Sequence, residues 1–230
     1  MKTYWRQQQA YDALQSHQCI FQNQSGGKRY YVVCTNEEYW TKFLEQGDRY
    51  GYEVIQNGKP CHLHIDLDVD KNRFPSIKVV DIWKTLEKYI DIVLKEDFNI
   101  NEADVTKRVH SSSNRDKGSM HIIFNINGKI FESNAHVGAF MRTVFSYVVS
   151  NGGEDIIIFD EKFVDMAIYT PNRLFRMLGC AKWDTTRYLT NGKELTFENW
   201  VENKVQPVST TAEFLPITEP DNTPIRMNGS

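Results

Sequence analysis

The stretch that decides the fold is "HLHIDLDVD", His62 to Asp70. Polar histidines and aspartates alternate in it with four apolar residues: Leu63, Ile65, Leu67 and Val69. A period of two predicts a β-strand with one buried face and one polar face. Side chains two residues apart on a strand project together, so Asp66 and Asp68 are expected side by side, at roughly 6 to 7 Å.

This acidic face has two interpretations. Two carboxylates at that separation repel by about 2 to 3 kcal/mol at an effective dielectric near 20, and a divalent cation would reverse the sign. Oxygen ligands of this kind favour Mg²⁺ or Mn²⁺ over zinc. The alternative is the wet side of an edge strand, where charges protect against aggregation. The Asp-x-Asp pair alone leaves both open.

Composition narrows the class of protein. The chain has 230 residues, 40% hydrophobic and 25% charged, which suits one large globular domain or two lobes sharing a core. It contains no run of about 18 apolar residues and no apolar signal segment near Met1, so we expect a soluble, intracellular protein with no membrane partner. Its compartment stays open. The net charge of −3 means that nucleic-acid binding would need a local basic patch.

The cysteines do not predict a metal site. Cys19, Cys34, Cys61 and Cys180 stand far apart, without the paired spacing of a zinc site or a disulfide framework. We expect four ordinary thiols and no structural zinc.

Periodicity and turn signals predict mixed secondary structure. Thr3 to His17 is interpreted as a helix, "RYYVV" as a strand, and Thr35 with Glu38 as a capping box that opens the next helix. "YEVI", "QNGKP" and "CHLHIDLDV" are interpreted as one β-hairpin. Because hairpins argue against a purely parallel sheet, we predict an α+β fold.

The remaining elements follow the same logic. Pro75 and Ser76 are expected to start a long amphipathic helix, and Ser133 to cap another. Four further segments are predicted as strands: "KRVHSSS", "MHIIFNI", "FVDMAIY" and "NRLFRML". Four of the seven prolines lie beyond 206, so 207–230 is predicted to be an extended tail or linker after a two-lobed core, 1–206.

Two further motifs carry complementary chemistry. "KGSMH" places Lys117, Ser119 and His121 on one side of a strand, as a phosphate grip or as ordinary surface and turn residues. In "FVDMAIYTPNRLFRMLGCAK", an aspartate lies among apolar residues, and two cations follow it: Asp165, Arg176 and Lys182. A buried aspartate needs a cation or a partner. Together the motifs suit two metal ions and a nucleoside triphosphate.

In this order, "IDLDV", "KGSMH" and "VDMAIYTPNRLFRMLGCAK" resemble the three motifs of archaeo-eukaryotic primases, in the PrimPol branch of primase-polymerases. The flanks "RQQQAY", "KRYYVVCTNEEYW" and "AHVGAFMR" are similar too, so the resemblance runs from about Trp5 to Lys182. It implies an N-terminal α/β module and an RRM-like module that share a mixed or antiparallel sheet around a central cleft.

The resemblance also implies roles for single residues. Asp66, Asp68 and Asp165 match the metal-binding catalytic triad, with Asp68 where several relatives have Glu. The nucleotide-binding positions match Arg29, Lys117, Ser119, His121, Arg176 and Lys182. Tyr52 matches a tyrosine near the sugar, and Arg6 with Gln7 matches a pair on a helix that touches the template.

The implied activity is template-dependent nucleotidyl transfer by DNA primase-polymerase chemistry, in replication or damage tolerance. Two divalent cations, Mg²⁺ or Mn²⁺, would assist attack of a 3′-hydroxyl and departure of pyrophosphate. The implied partners are single-stranded or primed DNA and NTPs or dNTPs. A zinc module usually follows the catalytic part in this family, so we expect either part of a longer chain, which could be fused to a zinc module or helicase, or a compact relative. In both cases we expect this polypeptide to extend primers better than it starts them. A metal-dependent nuclease and a non-catalytic nucleic-acid-binding replication module remain the rival hypotheses.

Overall fold

The computed structural model describes residues 1–47 and 49–218, and it shows a mixed α+β fold built on two β-sheets. The strands are β1 Lys2–Tyr4, β2 Cys19–Ser25, β3 Lys28–Cys34, β4 Tyr52–Val54, β5 Leu63–Asp70, β6 Val105–Ser111, β7 Lys117–Ile126, β8 Lys129–Ile130, β9 Leu174–Arg176 and β10 Glu213–Phe214. The α-helices are α1 Gln7–Asp12, α2 Asn36–Tyr39, α3 Val79–Phe98, α4 Asn134–Asn151, α5 Ile157–Asp160 and α6 Phe197–Glu202. The α+β class is thus confirmed.

The first sheet has the order β1-β3-β2-β4-β9, and all its neighbouring strands are antiparallel. The second has the order β10-β8-β7-β5, with β6 on β7, and only its β10-β8 pair is parallel. The resemblance implied one shared sheet, whereas these strands divide between two.

The main hydrophobic core lies under the apolar face of β5. Its alternate residues are fully buried: Leu63, Ile65, Leu67 and Val69. Helix α3 covers this face with Ile82, Trp83, Leu86, Tyr89, Ile90 and Val93, as its periodicity predicts, although it starts at Val79 rather than at Pro75. Gly118 on β7 permits the close approach of α3, because a Cβ there would lie 2.9 Å from the Cβ of Val79.

A second core lies on the first sheet. Tyr39 stacks on Phe21, with ring centroids 3.9 Å apart, and Trp200 packs against both rings. The predicted capping box is present, because Thr35 accepts a hydrogen bond from the Glu38 N–H and Glu38 accepts one from the Thr35 N–H. Helix α2 then continues as a π-helical turn, Trp40–Leu44.

Three predictions of secondary structure are wrong. Thr3 and Tyr4 belong to β1, which pairs with β3, so the first helix covers only Gln7–Asp12. β4 and β5 do not form a hairpin: β4 pairs with β2 and β9, and β5 pairs with β7. "FVDMAIY" is a single bridge at Val164 followed by a 3₁₀ helix, Met166–Tyr169. In the first two cases, pairing between distant segments overrides the local pattern.

The predicted tail, 207–230, lies partly outside the described residues. Within 207–218, Glu213–Phe214 pairs with Lys129–Ile130, and Leu215 is buried. All four cysteines are buried, and no disulfide joins any of them to another described residue. Within the described ranges, no helix has both the length and the apolar composition needed to cross a bilayer.

Candidate active site

β5 and β7 pair in an antiparallel register that places the aspartates of β5 directly opposite hydrogen-bond donors of β7. Asp66 lies opposite His121, Asp68 opposite Ser119, and Asp70 opposite Lys117. Directly opposed residues share a face of the sheet, with Cβ atoms roughly 5 Å apart. The polar residues of β5 and of β7 therefore form one surface, because the register of the two strands aligns their alternating polar positions.

The segment carrying the third motif lies against the other edge of β5. The Asp68 N–H donates to the Phe163 carbonyl oxygen (2.9 Å) and the Asp165 N–H to the Asp66 carbonyl oxygen (3.0 Å). Asp165 thereby comes next to Asp66. Its side chain is exposed rather than buried, which corrects the prediction made from its apolar neighbours, and its Oδ1 accepts the Ala167 N–H at 2.9 Å.

Strands β4 and β9 of the first sheet form the other wall of the site. On these strands, Tyr52 lies directly across from Arg176. Both side chains line a cavity of about 60 Å³ that Asp66, Asp68, Ser119, His121 and Lys182 also line. This volume corresponds to about two water molecules. The cavity can therefore take a cation or one phosphate group, and the rest of a nucleotide would lie outside it.

The closeness of the carboxylates has an electrostatic cost that is only partly compensated. Burial and the neighbouring charges of Asp68 and Asp165 raise the pKa of Asp66 to about 7. Two buried carboxylate oxygens, Oδ1 of Asp66 and Oδ1 of Asp68, have no hydrogen-bond partner among the described residues. Lys117 partly compensates, since its Nζ lies 2.7 Å from Asp68 Oδ2.

These oxygens fit a divalent cation by their chemistry, since orphaned carboxylate oxygens are the donors that Mg²⁺ and Mn²⁺ accept. Within 1–47 and 49–218, however, no three His, Cys, Asp or Glu side chains are gathered closely enough to form a ready cation site. Two of the acids instead have contacts within the protein: Lys117 pairs with Asp68, and the Ala167 N–H donates to Asp165. Residues 66, 68 and 165 are near one another but not preassembled.

His121 is kept neutral. Burial and the charge of Arg176 lower its pKa well below the ordinary value. Its Nε2 lies 3.4 Å from Asp66 Oδ1, and its ring centroid is 4.5 Å from that of Phe175. A neutral, wedged imidazole is a fixed donor or acceptor rather than a counter-charge.

The upstream histidine of β5 has a packing role. His64 is fully buried, its Nδ1 lies 2.9 Å from the His62 carbonyl oxygen, and its ring packs against Tyr169 and Phe175. Asp70 is exposed, and its Oδ1 accepts the N–H groups of Asn72 and Arg73.

Of the remaining predicted nucleotide-binding residues, Lys182 lines the cavity and Arg29 does not. Lys182 is at its exposed rim, where partial burial and the charge of Lys117 lower its pKa. Arg29 is exposed. Burial raises the pKa of Tyr52, and the charges of Arg176 and Arg29 offset only part of that rise.

The predicted template pair sits at the start of α1. Arg6 is exposed, whereas Gln7 donates from Nε2 to the Asn172 carbonyl oxygen at 3.1 Å. Gln7 thus contacts the loop of the third motif, and Arg6 is free to face solvent.

Sequence reasoning missed the supporting role of three serines in "HSSSN". Ser112 Oγ accepts a hydrogen bond from Arg176 Nη2 at 2.8 Å, and both side chains are buried. Ser113 Oγ accepts the Ser119 N–H at 2.9 Å, and Ser111 Oγ donates to the Ser119 carbonyl oxygen at 3.3 Å. A serine run that directly precedes a predicted phosphate grip was the available signal.

The site therefore belongs to a class defined by a half-buried acidic strand face with lysine, serine, histidine and arginine around it, which suits a cation with a polyphosphate. Comparison with known proteins agrees with that class. The chain is 32% identical over 139 residues to the DNA-directed primase/polymerase protein of Gallus gallus, covering 58% of this chain and 24% of that protein. It is 30% identical over 119 residues to the same-named protein of Homo sapiens, covering 51% and 21%.

A longer match, 25% identical over 217 residues, covers 79% of the chain and 40% of the DNA-directed primase/polymerase protein of Danio rerio. The chain is thus a homologue of these proteins, which supports the predicted assignment to the PrimPol branch of the primase superfamily. It spans less than half the length of these relatives. No family model matches the chain.

Proposed function

We propose that this chain is a template-directed DNA primase-polymerase that adds nucleotides to a 3′-hydroxyl, in DNA replication or damage tolerance. Its relatives are named as DNA-directed primase/polymerases, which are nucleotidyltransferases. The single observation that carries the proposal is the β5–β7 register, because it sets acids against donors on one face beside Arg176.

The proposed triphosphate site is the cationic side of the cleft. Arg176 is buried and held by Ser112, so its guanidinium is oriented before a ligand arrives. Lys117 and Lys182 add point charges, and Ser119 adds a short donor. Guanidinium and ammonium groups together suit a chain of phosphates.

The proposed cation ligands are Asp66, Asp68 and Asp165. Bound Mg²⁺ or Mn²⁺ would supply positive charge for the attacking hydroxyl and the leaving pyrophosphate. Binding a cation would also satisfy the orphaned oxygens of Asp66 and Asp68 and release Lys117 toward the phosphates. His121, neutral and packed on Phe175, would contact phosphate as a donor rather than serve as a base.

Tyr52 and the start of α1 complete the proposal. Tyr52 lies opposite Arg176. When the phosphates of a nucleotide bind Arg176, its sugar would lie beside Tyr52. Tyr52 would therefore influence the choice between ribose and deoxyribose. Exposed Arg6 would contact the template backbone, and base choice would come from pairing with the template.

The test is extension of a labelled primer annealed to a longer template, with ribo- or deoxyribonucleotides and with Mg²⁺ or Mn²⁺. The proposal predicts template-dependent extension that Asp165→Ala abolishes. Failure to extend under all four conditions would reject it. Comparison with dinucleotide synthesis from triphosphates alone tests the further expectation that extension is favoured over initiation.

Two controls separate the rival functions. A nuclease would shorten labelled single-stranded DNA with Mg²⁺ and no nucleotide, whereas the proposed enzyme would leave it intact. A binding module would retain its full function after Asp66→Ala and Asp68→Ala, whereas the proposed enzyme would lose extension.

A further inference from the structure

A separate cavity lies between the segment that precedes β4 and the turn that follows the third motif. Its volume is about 150 Å³; Arg49 lines it from the first segment, and Tyr188, Thr190 and Lys193 line it from the second. We call it the basic cavity, and we call the 60 Å³ cavity beside Asp66 the phosphate cavity. The two share no described lining residue. The basic cavity corresponds to about five water molecules, so it can take one phosphate group.

The charged lining of the basic cavity is positive. Arg49 and Lys193 line it, and none of the described residues around it is an acid. Arg49 Nε is buried and has no hydrogen-bond partner among the described residues. A buried donor without an acceptor costs free energy, and a charge-assisted hydrogen bond to an anion would recover it. This lining therefore favours an anion, and the planar guanidinium suits a phosphate.

The basic cavity is built on backbone that is held by pairing. The Gly179 N–H donates to the Leu189 carbonyl oxygen at 2.8 Å, and Thr190 exchanges two backbone hydrogen bonds with Ser111 of β6, at 2.8 and 3.0 Å. Gly179 has a φ of 77°, and a Cβ there would lie 2.9 Å from Leu195 Cδ1, so glycine allows Leu195 to approach. The lining residues are thus positioned before any ligand binds.

Tyr188 adds an aromatic ring beside the two cations. It is 40% exposed, and it lines the same cavity as Arg49 and Lys193. Proteins that bind single-stranded nucleic acid combine cations that follow the backbone with aromatic rings on which unpaired bases stack. A free phosphate would have no use for the ring, and the bases of a duplex are already stacked on one another. The combination therefore indicates a single strand.

A short loop, 181–188, connects this cavity to the candidate active site. Lys182, near its start, lines the phosphate cavity, and Tyr188, at its end, lines the basic cavity. The two ends of the loop are held together, because the Leu189 N–H donates to the Cys180 carbonyl oxygen at 2.9 Å. The Cα atom of Lys182 lies at most about 8 Å from that of Cys180, since consecutive Cα atoms are about 3.8 Å apart. A strand in the active site can therefore reach the basic cavity within a few nucleotides.

Resting on the proposed function, we propose that the basic cavity binds the unpaired template strand outside the catalytic cleft. Arg49 and Lys193 bind one phosphodiester group, and a base of the template stacks on Tyr188. The template is the strand in question, because the primer is paired along its length. The site reads no sequence, since every base has a face that can stack. It supplies a local basic patch in a chain whose net charge is −3.

The first test measures how the affinity for a fluorescent single-stranded oligonucleotide depends on salt. Each lost phosphate contact should lower the slope of log K against log salt concentration by about 0.7 in magnitude. We expect this change in Arg49→Gln and in Lys193→Gln. Lys84→Gln, at an exposed lysine of α3, is the matched control and should keep the wild-type slope. If Arg49→Gln does not fold by circular dichroism, exposed Lys193→Gln decides the test alone.

The second test separates stacking from charge. Tyr188→Leu should weaken binding of the single strand about fivefold or more, without changing the salt slope, because it removes a ring and no charge. Tyr188→Phe keeps the ring and should bind as the wild type does. Binding of a blunt duplex should be the same in all three proteins. Equal losses in Tyr188→Leu and Tyr188→Phe, or equal losses for single strand and duplex, would overturn the stacking assignment.

The remaining outcomes separate this site from the proposed function. A salt slope for Lys193→Gln equal to that for Lys84→Gln shows that the cavity assignment is wrong, whether or not primers are extended. Calorimetric titration with inorganic phosphate identifies a free-phosphate site, and overturns the template assignment, if Lys193→Gln abolishes that binding but leaves the DNA salt slope unchanged. If the variants behave as expected but the wild type extends no primer, the strand-binding site stands and the proposed function fails.

Discussion

The N–H of Asp165 donates a hydrogen bond to the carbonyl oxygen of Asp66, with 3.0 Å between nitrogen and oxygen. This backbone contact joins the first and third sequence motifs. It depends on the buried residues before Asp165, because Val164 forms a bridge with Leu67 and the Phe163 carbonyl oxygen accepts the Asp68 N–H.

Truncation of Phe163 should therefore weaken both the fold and the site. Its ring is buried and meets Phe74 edge to face at 5.0 Å. We expect Phe163→Ala to lower the free energy of unfolding by about 3 to 5 kcal/mol, and Phe163→Leu by less, as measured by urea unfolding. Equal losses in the two variants would show that the cavity left by the ring is not the cause.

Ser112 is expected to position Arg176. Ser112→Ala removes the hydroxyl that accepts from Arg176 Nη2 and leaves a buried guanidinium N–H without its acceptor. We expect the KM for the incoming nucleotide to rise by about five- to tenfold, with a smaller change in kcat, because an unmet buried donor costs about 1 kcal/mol or more. Ser112→Thr keeps the hydroxyl and should restore the KM; a KM unchanged in Ser112→Ala would contradict this role.

Glu53 on β4 is expected to stabilise the position of Val205 and Gln206, which follow α6. Its carboxylate is buried and accepts the N–H groups of Val205 (2.7 Å) and Gln206 (3.2 Å), while Lys204 supplies a nearby charge. Glu53→Ala leaves two buried N–H groups unpaired, which should cost roughly 2 to 6 kcal/mol of unfolding free energy. Glu53→Gln retains an acceptor oxygen and should cost less. Denaturant unfolding of both variants measures this, and an equal cost would argue against the hydrogen bonds as its source.

The sequence predicts those features of the fold and the site that depend on interactions between residues close together in the chain. The alternation in β5 and the periodicity of α3 correctly predict the apolar residues that are buried, because both depend on neighbours within a few positions, but the alternation places His64 on the polar face and it is buried as well. The hairpin of β4 with β5 is wrong because each strand finds its partners far along the chain. The exposure of Asp165 and the bond from Arg176 to Ser112 also depend on tertiary contacts, which no local spacing encodes.

Acid should destabilise the protein through His62. Burial, and to a lesser degree the charge of Arg108, lowers its pKa from 6.5 to about 4. Between these values the unfolded chain binds a proton that the folded chain does not, so this contribution to stability is present above pH 6.5 and is lost as the pH falls toward 4. The loss attributable to this group is on the order of 3 kcal/mol.

Urea unfolding at a series of pH values measures that loss. His62→Gln should reduce the fall in stability between pH 6.5 and 4, whereas His17→Gln, at an exposed position, should leave it as in the wild type. Identical pH profiles for His62→Gln and the wild type would contradict the assignment.

The most direct test of the central claim compares two aspartates of the same strand face. Asp68 lines the phosphate cavity, whereas Asp70 is exposed and accepts backbone N–H groups of its own turn. Primer extension should fall by about a hundredfold or more in Asp68→Asn, as for other losses of site electrostatics, and stay within about twofold of wild type in Asp70→Asn. Equal activities of the two variants would contradict the claim that the β5–β7 face is the catalytic centre.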